Sequence, residues 1–507
     1  MADAAQVQAP VAPKSSAGSK KFIFDVGITG GAQFLVFLAA ILNVSIVGRA
    51  MGATALAEFL LVKRVSSWLT AAITLGISVG IPRFVAQNSH IKGVPEKYFR
   101  AGLIIASASA ALTWTFCSLG RPFVARWFFG GIQYANLVTP LMILSTATMM
   151  HLVIYGYYRG LLLMRTANVL QALNIAVLPL ALTYAFAFTK SIPVVLGATA
   201  VSILLVCVFS GAKVLSKGMD HVQLPFAAAG KNLLVYSAAR MPGDLGIQGL
   251  LALGPMIAAH YTDMHQVSFV LLGMSLLMAV GLAITPLGLV LLSKISSMLG
   301  QGREKEARDQ VNLLREALLH TSSLVLAQSV VFCPLLVQWW VGKSSEGSGP
   351  VLRAMVLAVP FYVIYVSCRA VVDAKSTIPY NTRNIFIAFG FFLVLVWFAR
   401  LAPSSQVALA IGASITAAIA ALGTMTWLTM AKLYKLPLFA WKDFAIFGLS
   451  GLLGVASFAV QSAAHSVNPA LVFVGVNLAA VALFVVGLKA FKIEWWSTMR
   501  SIVKGMV

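Results

Sequence analysis

The stretch Arg240-Met241-Pro242-Gly243-Asp244 begins a long apolar run. It is the most informative stretch for the fold, because it places two opposite charges where the hydropathy indicates a membrane-spanning segment. A charged side chain at that depth costs about 2.5–3.5 kcal/mol on insertion scales, so it usually faces a partner or a water-filled cavity. Arg240 and Asp244 share one helical face, while Pro242 and Gly243 weaken the same turn. Such breaks are tolerated only where protein or a polar cavity satisfies the backbone. The stretch therefore predicts part of a central cavity, the alternative being a kinked helix whose charge pair serves packing.

The composition around this stretch is that of an integral membrane protein. The 507 residues are 59% hydrophobic and 10% charged, with a mean hydropathy of +0.89. A soluble domain carries about 25% charged residues. Apolar runs of the length of a bilayer recur from Phe22 almost to the C-terminus, and such runs predict spanning helices. The expected fold class is an all-α polytopic membrane protein.

The basic charge and the reactive side chains indicate neither a nucleic-acid partner nor an enzyme. The net charge is +22, but Lys and Arg are spread over alternate loops instead of one basic arm. The four cysteines lie in apolar runs without metal-ligand spacing, so neither a metal nor a disulfide framework is predicted. The histidines are scattered, and no phosphate-binding G-x-x-x-x-G-K-[ST] loop occurs. We therefore expect no catalytic residues and no ATP-driven pump within this chain.

Fourteen candidate helices follow from the apolar runs, with the second over Ala57–Ile81 and the seventh over Leu233–Ala259. Short matches at an offset of 211 residues suggest two parallel halves. The predicted domains are a disordered cytoplasmic tail at 1–21, a six-helix bundle at 22–214, a cytoplasmic connection at 215–232, a second six-helix bundle at 233–431, two additional transmembrane helices at 432–490 and a cytoplasmic tail at 491–507.

The distribution of basic residues predicts the orientation of these helices. With an even number of spans, both termini lie on one side and successive loops alternate. Of the 37 Lys and Arg residues, 27 fall in the tails and loops on the side of the termini, 7 in the opposite loops and 3 within apolar runs. Basic residues are enriched in cytoplasmic loops. Both termini are therefore predicted to be cytoplasmic.

Short motifs in order along the chain carry a family resemblance. They are Asn43–Phe59, Leu75-Gly76-Ile77-Ser78, Pro82-Arg83-Phe84-Val85-Ala86, Tyr236–Asp244 and Arg369–Ala374. Together with the length and the helix count, these motifs resemble polysaccharide flippases of the O-antigen (Wzx) type, which belong to the multidrug/oligosaccharidyl-lipid/polysaccharide exporter superfamily.

The resemblance implies two six-helix bundles facing each other around a central cavity, with two C-terminal helices packed alongside. It implies an alternating-access flippase that moves an undecaprenyl-diphosphate-linked glycan, a polysaccharide repeat unit, across the bacterial inner membrane. In related peptidoglycan-precursor flippases, cavity cations handle the diphosphate and the last two helices offer a groove for the lipid tail. The implied partners are membrane lipid and other glycan assembly proteins.

Three basic residues within the predicted membrane are the candidates for substrate binding. A diphosphate crosses the membrane only where donors and positive charge replace its hydration. We predict that Arg64 and Arg240 bind the diphosphate with help from Lys63, since a guanidinium pairs with phosphate in two-pronged fashion. For Lys63 and Arg64 the alternative is a helix that starts later, from which both snorkel to the outer interface.

The scarce acids of the apolar helices have two predicted roles. Asp373 lies four residues after Arg369, a spacing that favours a structural ion pair. Asp244 or Asp25 is a candidate for coupling transport to a proton or sodium gradient, because a carboxylate in a low-dielectric site can titrate near neutral pH. No other cofactor is predicted.

Three other functions compete with the polysaccharide flippase. A cation-coupled multidrug exporter would share the fold, but cationic drugs favour carboxylates and aromatic rings over the basic residues found here. A peptidoglycan lipid-precursor flippase would share the fourteen helices. A membrane polymerase or ligase of surface glycans would be polytopic too, but it would carry a large charged loop on the outer side, and no such loop is predicted.

Overall fold

The computed structural model describes residues 16–216, 224–238, 240–376, 378–464, 466–491 and 493, with the backbone alone for 16–27, 283 and 285–294. Within these ranges the chain folds into α-helices, as the hydropathy predicts. They are α1 (Ser16–Met51), α2 (Ala53–Thr74), α3 (Ile77–Gln87), α4 (Val94–Leu119), α5 (Arg121–Phe129), α6 (Val138–Gly160), α7 (Met164–Gln171), α8 (Leu178–Phe186), α9 (Ile192–Leu215), α10 (Phe226–Ala238), α11 (Met241–Tyr261), α12 (Met264–Gly300), α13 (Glu304–Val341), α14 (Gly349–Val356), α15 (Val359–Lys375), α16 (Tyr380–Ala399), α17 (Val407–Tyr434), α18 (Trp441–Ala463) and α19 (Pro469–Ala490). A π-helical segment, Ala172–Val177, links α7 to α8, and a short 3-10 segment, Gly342–Ser345, follows α13.

The length and hydropathy of the helices fit a protein with many membrane crossings. In the described part of the chain, 12 helices are long and apolar enough to span a bilayer, and the bent pair α2/α3 makes 13. α11, with 21 residues, is about 31 Å long, which also suffices. Its charged, polar and glycine residues keep it below the hydropathy of the others. The protein is thus an all-helical polytopic membrane protein, as predicted.

Two helix boundaries differ from the predicted ones near the start of the chain. α1 begins at Ser16, before the predicted start at Phe22, and residues 1–15 of the tail predicted over 1–21 lie outside the described residues. The last proline before α1 is Pro13, and nothing between it and Phe22 prevents helix formation. The second predicted helix is bent by 50° between α2 and α3. At the bend Leu75 and Gly76 both have positive φ, which ends α2 in a left-handed cap.

The seventh predicted helix is split into α10 and α11. The break lies just before Pro242, which occupies the start of α11, where its missing N–H leaves no helical hydrogen bond unmade. The result places Arg240 at the junction of two helices and not within one. The connection predicted at 215–232 is also shorter, since α10 already begins at Phe226. Residues 217–223 lie outside the described part.

The helices pack as two bundles with two further helices alongside. In the first bundle α6 lies at the centre and contacts α2, α3, α4 and α9; in the second, α15 and α17 contact each other and α12. The bundles meet where α2 contacts α11 and α12, and where α1 contacts α12 and α13. α18 packs against α13, and α19 packs mainly against α18. Although α10 was predicted to belong to the connection and the second bundle, it packs against α3 and α4 of the first bundle.

Hydrogen bonds join the two bundles at one end of the molecule. The Ser45 hydroxyl of α1 donates to the Trp340 carbonyl of α13 at 2.7 Å, and the Trp340 indole N–H donates to the Ile41 carbonyl at 2.7 Å. The Ser344 hydroxyl donates to the Gly48 carbonyl at 2.5 Å. These five residues are called the Trp340 seam below. The seam holds the bundles together at the end where α1 and α13 finish.

Candidate functional site

A cavity of about 290 Å³, with several polar side chains in an otherwise apolar wall, lies between the two bundles. Its wall is formed by α1, α2, α6, α8 and α9 from the first bundle and by α12 and α13 from the second. The polar lining side chains include Lys63, Arg64, Ser67, Thr148, Asn174 and Ser275. Charged, hydroxyl and amide groups therefore converge where the two bundles meet. The stretch Arg240–Asp244, which the sequence predicts to be part of a central cavity, contributes no residue to this lining, because the helix breaks before Pro242.

Lys63 and Arg64 line this cavity. The sequence left two locations open for them, the cavity and the outer interface, and in the structure they lie in the cavity. Both side chains are half-buried on α2, well past its first turn. The Lys63 ammonium lies 5.0 Å from the centroid of the Phe59 ring. Two cations held between the bundles give the cavity a positive field that favours anions.

Arg240 lies apart from Lys63 and Arg64. Its guanidinium carbon stacks 3.9 Å from the centroid of the Tyr236 ring, and that of Arg83 lies 4.2 Å from the same centroid. Arg240 is exposed and is not part of the cavity wall described above. The structure therefore brings Lys63 and Arg64 together but separates Arg240 from them, because the break before Pro242 carries Arg240 to the junction with α10.

Asp244 is half-buried on α11. The pair with Arg240 expected from the spacing is not formed, since the ion pairs within the described part of the chain involve other residues. The role of Asp244 in ion coupling stays a prediction. Asp25 lies in α1, where only the backbone is described, so its role in ion coupling stays a prediction.

The predicted ion pair between Arg369 and Asp373 is replaced by other contacts. The Arg369 guanidinium lies 5.7 Å from the centroid of the Tyr365 ring. The Asp373 carboxylate accepts a hydrogen bond from the Asn381 amide at 2.7 Å, and the same amide donates to the Arg369 carbonyl at 2.9 Å. Both charged side chains are exposed, so neither needs the other as a partner. The sequence spacing was right for a shared face but could not show Asn381.

A buried charged cluster escaped the sequence reasoning. Arg315 of α13 donates to Asp443 of α18 at 2.8 Å, and His320 contacts the second Asp443 oxygen at 2.9 Å. The Ala440 backbone N–H also donates to Asp443, at 2.7 Å. The burial of Asp443 is hard to predict from the sequence, because Asp443 is the third residue of α18 and follows Trp441 and Lys442, a pattern that resembles an ordinary loop.

A second and larger cavity lies beside the second bundle. It measures about 770 Å³ and is lined almost entirely by apolar side chains of α13, α15, α17 and α18, among them Leu326, Phe361, Trp427 and Phe458. Arg353 of α14 is the one charged residue among its described lining residues. This cavity is called the α18 groove below. Its largely apolar lining suits a hydrocarbon chain.

Comparisons with known proteins agree with this architecture. No protein-family model matches the chain, and no curated protein matches it by sequence. Among solved structures, the lipid II flippase MurJ in an inward closed conformation is similar with a TM-score of 0.69 and 14% identity, covering 91% of this chain and 98% of MurJ. An inward-facing multidrug resistance MATE family transporter of the MOP superfamily has a TM-score of 0.59 and 15% identity, covering 80% and 96%. A eukaryotic MATE transporter has a TM-score of 0.55 and 13% identity, covering 86% and 99%.

The chain therefore has the fold seen in the lipid II flippase MurJ and in the MATE transporters. At 13–15% identity this likeness establishes the fold, and the function has to be argued from the cavity and the groove.

Proposed function

We propose that the protein is a flippase that moves a polyprenyl-diphosphate-linked oligosaccharide, a polysaccharide repeat unit, across the bacterial inner membrane by alternating access. The observation that carries this proposal is the pair Lys63 and Arg64, half-buried in the cavity between the two bundles. Basic side chains at membrane depth are costly and indicate an anionic substrate or a partner. A guanidinium can bind phosphate oxygens bidentately while hydroxyl and amide groups bind sugar.

The α18 groove supports a lipid-linked substrate over a free sugar. A polyprenyl chain needs an extended apolar surface while its head group occupies the cavity between the bundles. The groove supplies about 770 Å³ of largely apolar space beside the second bundle. The similarly folded MurJ is described as a lipid II flippase, and the combination of a cavity lined by basic side chains with an apolar groove fits that chemical class.

The direction of transport follows from the orientation proposed on the positive-inside rule. In that orientation both termini and the end bearing Tyr236 are cytoplasmic, and the Trp340 seam lies on the outer side. Since the seam joins α1 to α13, the outer side is closed, and substrate enters from the cytoplasm. Opening of the seam then releases the glycan outward, where other glycan assembly proteins use it.

A peptidoglycan lipid-precursor flippase is the second candidate, favoured by the TM-score of 0.69 with MurJ. Both candidates bind a polyprenyl diphosphate and differ in the sugar. A multidrug exporter is disfavoured by the two cations, since an organic cation would be repelled by Lys63 and Arg64.

The test is to isolate the protein in native nanodiscs and to identify co-purifying lipids by mass spectrometry. We expect a polyprenyl-diphosphate sugar with the wild type and a smaller amount of it with Arg64→Ala. Arg165→Ala, at an exposed position of α7, is the control and should retain the lipid. Saturable binding of organic cations without such a lipid would instead support the drug exporter.

A further inference from the structure

We infer that Arg83 and Arg240, stacked on Tyr236, form a separate anion-binding site that captures the diphosphate of the lipid carrier before it reaches Lys63 and Arg64. This inference rests on the proposed function and adds residues to it. Its evidence is the geometry of two guanidinium groups over one aromatic ring, at 4.2 Å and 3.9 Å from the centroid.

The distances suit a phosphate held by both arginines. Since both are measured from one ring centroid, the two guanidinium carbons are at most about 8 Å apart. A phosphate group at the edge of the ring can accept hydrogen bonds from both side chains. Stacking on Tyr236 leaves the N–H groups at the edges of each guanidinium free to donate in its plane.

Within the described part of the chain, neither Arg83 nor Arg240 forms an ion pair with a carboxylate, and both side chains are exposed. Asp244, four residues after Arg240, is not paired with it. Two like charges held close together without a carboxylate between them repel each other, and an anion bound by both relieves that repulsion.

The ring that organises the two arginines is itself fixed by packing. Phe84 meets Tyr236 edge to face at a centroid distance of 5.6 Å, and Tyr98 stacks on Phe84 at 5.0 Å. α10 can approach α3 closely because Gly76 and Gly80 lie against Ser237, the residue after Tyr236. A side chain at Gly76 would meet the Ser237 backbone, so this approach requires glycine. The geometry of the pair is thus built by the contact between α3 and α10.

The Arg83–Arg240 pair is a binding site separate from Lys63 and Arg64 in the cavity. Arg83 lies on α3, which continues α2 beyond the bend, and Arg64 lies on α2. They are 19 positions apart, which corresponds to roughly 28 Å along the bent pair of helices, more than one diphosphate can bridge. A substrate bound at Arg83 and Arg240 therefore has to move to reach Arg64, as expected for capture followed by translocation.

The experiment measures binding of farnesyl diphosphate, a short polyprenyl diphosphate, to the purified full chain in detergent. We expect Arg83→Ala to weaken binding by at least about tenfold, since hydrogen bonds to charged groups are lost. Tyr236→Leu, which keeps both charges but removes the stack, should weaken it as well. Tyr236→Phe keeps the ring and should bind as the wild type does. Unchanged affinity in Arg83→Ala would overturn the inference.

Two further experiments are needed. One distinguishes a diphosphate from an ordinary phospholipid headgroup as the ligand, and the other tests the capture site separately from the proposed flippase function. Native mass spectrometry with phosphatidylglycerol tests for an ordinary anionic phospholipid; if Arg83→Ala loses phosphatidylglycerol yet keeps farnesyl diphosphate, the pair is a headgroup site and not a capture site. Arg64→Ala should retain most binding but lose translocation. If Arg64→Ala loses translocation while Arg83→Ala binds and transports normally, the flippase stands and the capture site fails. If neither the wild type nor any variant binds the diphosphate, the proposed function itself fails.

Discussion

Arg315 and Asp443 form a buried ion pair between α13 and α18, with Nη1 and Oδ2 2.8 Å apart and both side chains 1% exposed. His320 contacts the other carboxylate oxygen, so each Asp443 oxygen has a partner. Ser323 and Ser450, whose hydroxyls are 2.9 Å apart, continue the polar contact and also line the α18 groove. The buried pair therefore fixes α18 against the bundle at one end of that groove.

Removal of one partner should destabilise the protein strongly. Asp443→Ala leaves Arg315 buried without a counter-charge, which costs about 3–5 kcal/mol in the free energy of unfolding. Thermal unfolding in detergent measures the loss. Glu306→Ala is the control, because it breaks an exposed pair with Arg303 and should leave the unfolding midpoint where it is. Equal midpoints for both variants would contradict the structural role of Asp443.

A bulky residue at Gly451 should obstruct the α18 groove without disturbing the fold. Gly451 lines the groove, and a Cβ atom there meets nothing within 4 Å, so Gly451→Phe projects into empty space. We expect weaker co-purification of a polyprenyl-linked lipid with an unfolding midpoint at or above that of the wild type, because glycine is a poor helix former.

Gly448 provides the matched control for this prediction. It lies one turn earlier on α18, has equally open space and is not part of the groove wall. Gly448→Phe should therefore keep the lipid. Retention of the lipid by both variants would show that the groove does not hold it.

A covalent link across the Trp340 seam should stop transport reversibly. A Cβ atom added at Gly48 would lie 2.8 Å from the Cβ atom of Val341, so Gly48→Cys with Val341→Cys brings two cysteine side chains into contact between α1 and α13. A shift of about 0.7 Å then gives the Cβ–Cβ distance of about 3.5 Å that a disulfide needs. The natural cysteines, Cys117, Cys207, Cys333 and Cys368, are buried and should not interfere. Oxidation should abolish transport into vesicles, and a reducing agent should restore it. The two single-cysteine variants are the controls, and transport by the oxidised double variant would refute a gate at this seam.

Charge alone should not suffice at Arg64. Arg64→Lys keeps the positive charge but loses the planar fork that binds two phosphate oxygens, so we expect transport to fall by about tenfold while the protein remains folded. Lys63→Arg, which adds a fork next to it, should retain transport. Transport rates of reconstituted vesicles give the comparison, and full activity of Arg64→Lys would argue against bidentate phosphate binding.

The second and seventh predicted helices show where sequence reasoning reached its limit on the fold. Hydropathy located both, since burial in lipid is a property of each segment. The bend at Leu75 and Gly76 depends on two positive φ angles, and only Gly76 hints at it in the sequence. Pro242 did indicate a break in the seventh helix, yet the packing of α10 on the first bundle follows from contacts with Gly76 and Gly80, far away in the chain.

Local hydropathy was enough to predict the class of protein and to place Lys63 and Arg64 within an apolar helix, although it predicted fourteen spans where the described residues have 12, or 13 with the bent pair. These follow from the local cost of placing each side chain in lipid or water. Only the tertiary structure decided which charges meet: Arg315 with Asp443 across 128 positions, Arg83 and Arg240 on one tyrosine, and Asp373 with Asn381 in place of Arg369. Partners are chosen by distance in space, and the four-residue spacing of a helix fixes only a shared face.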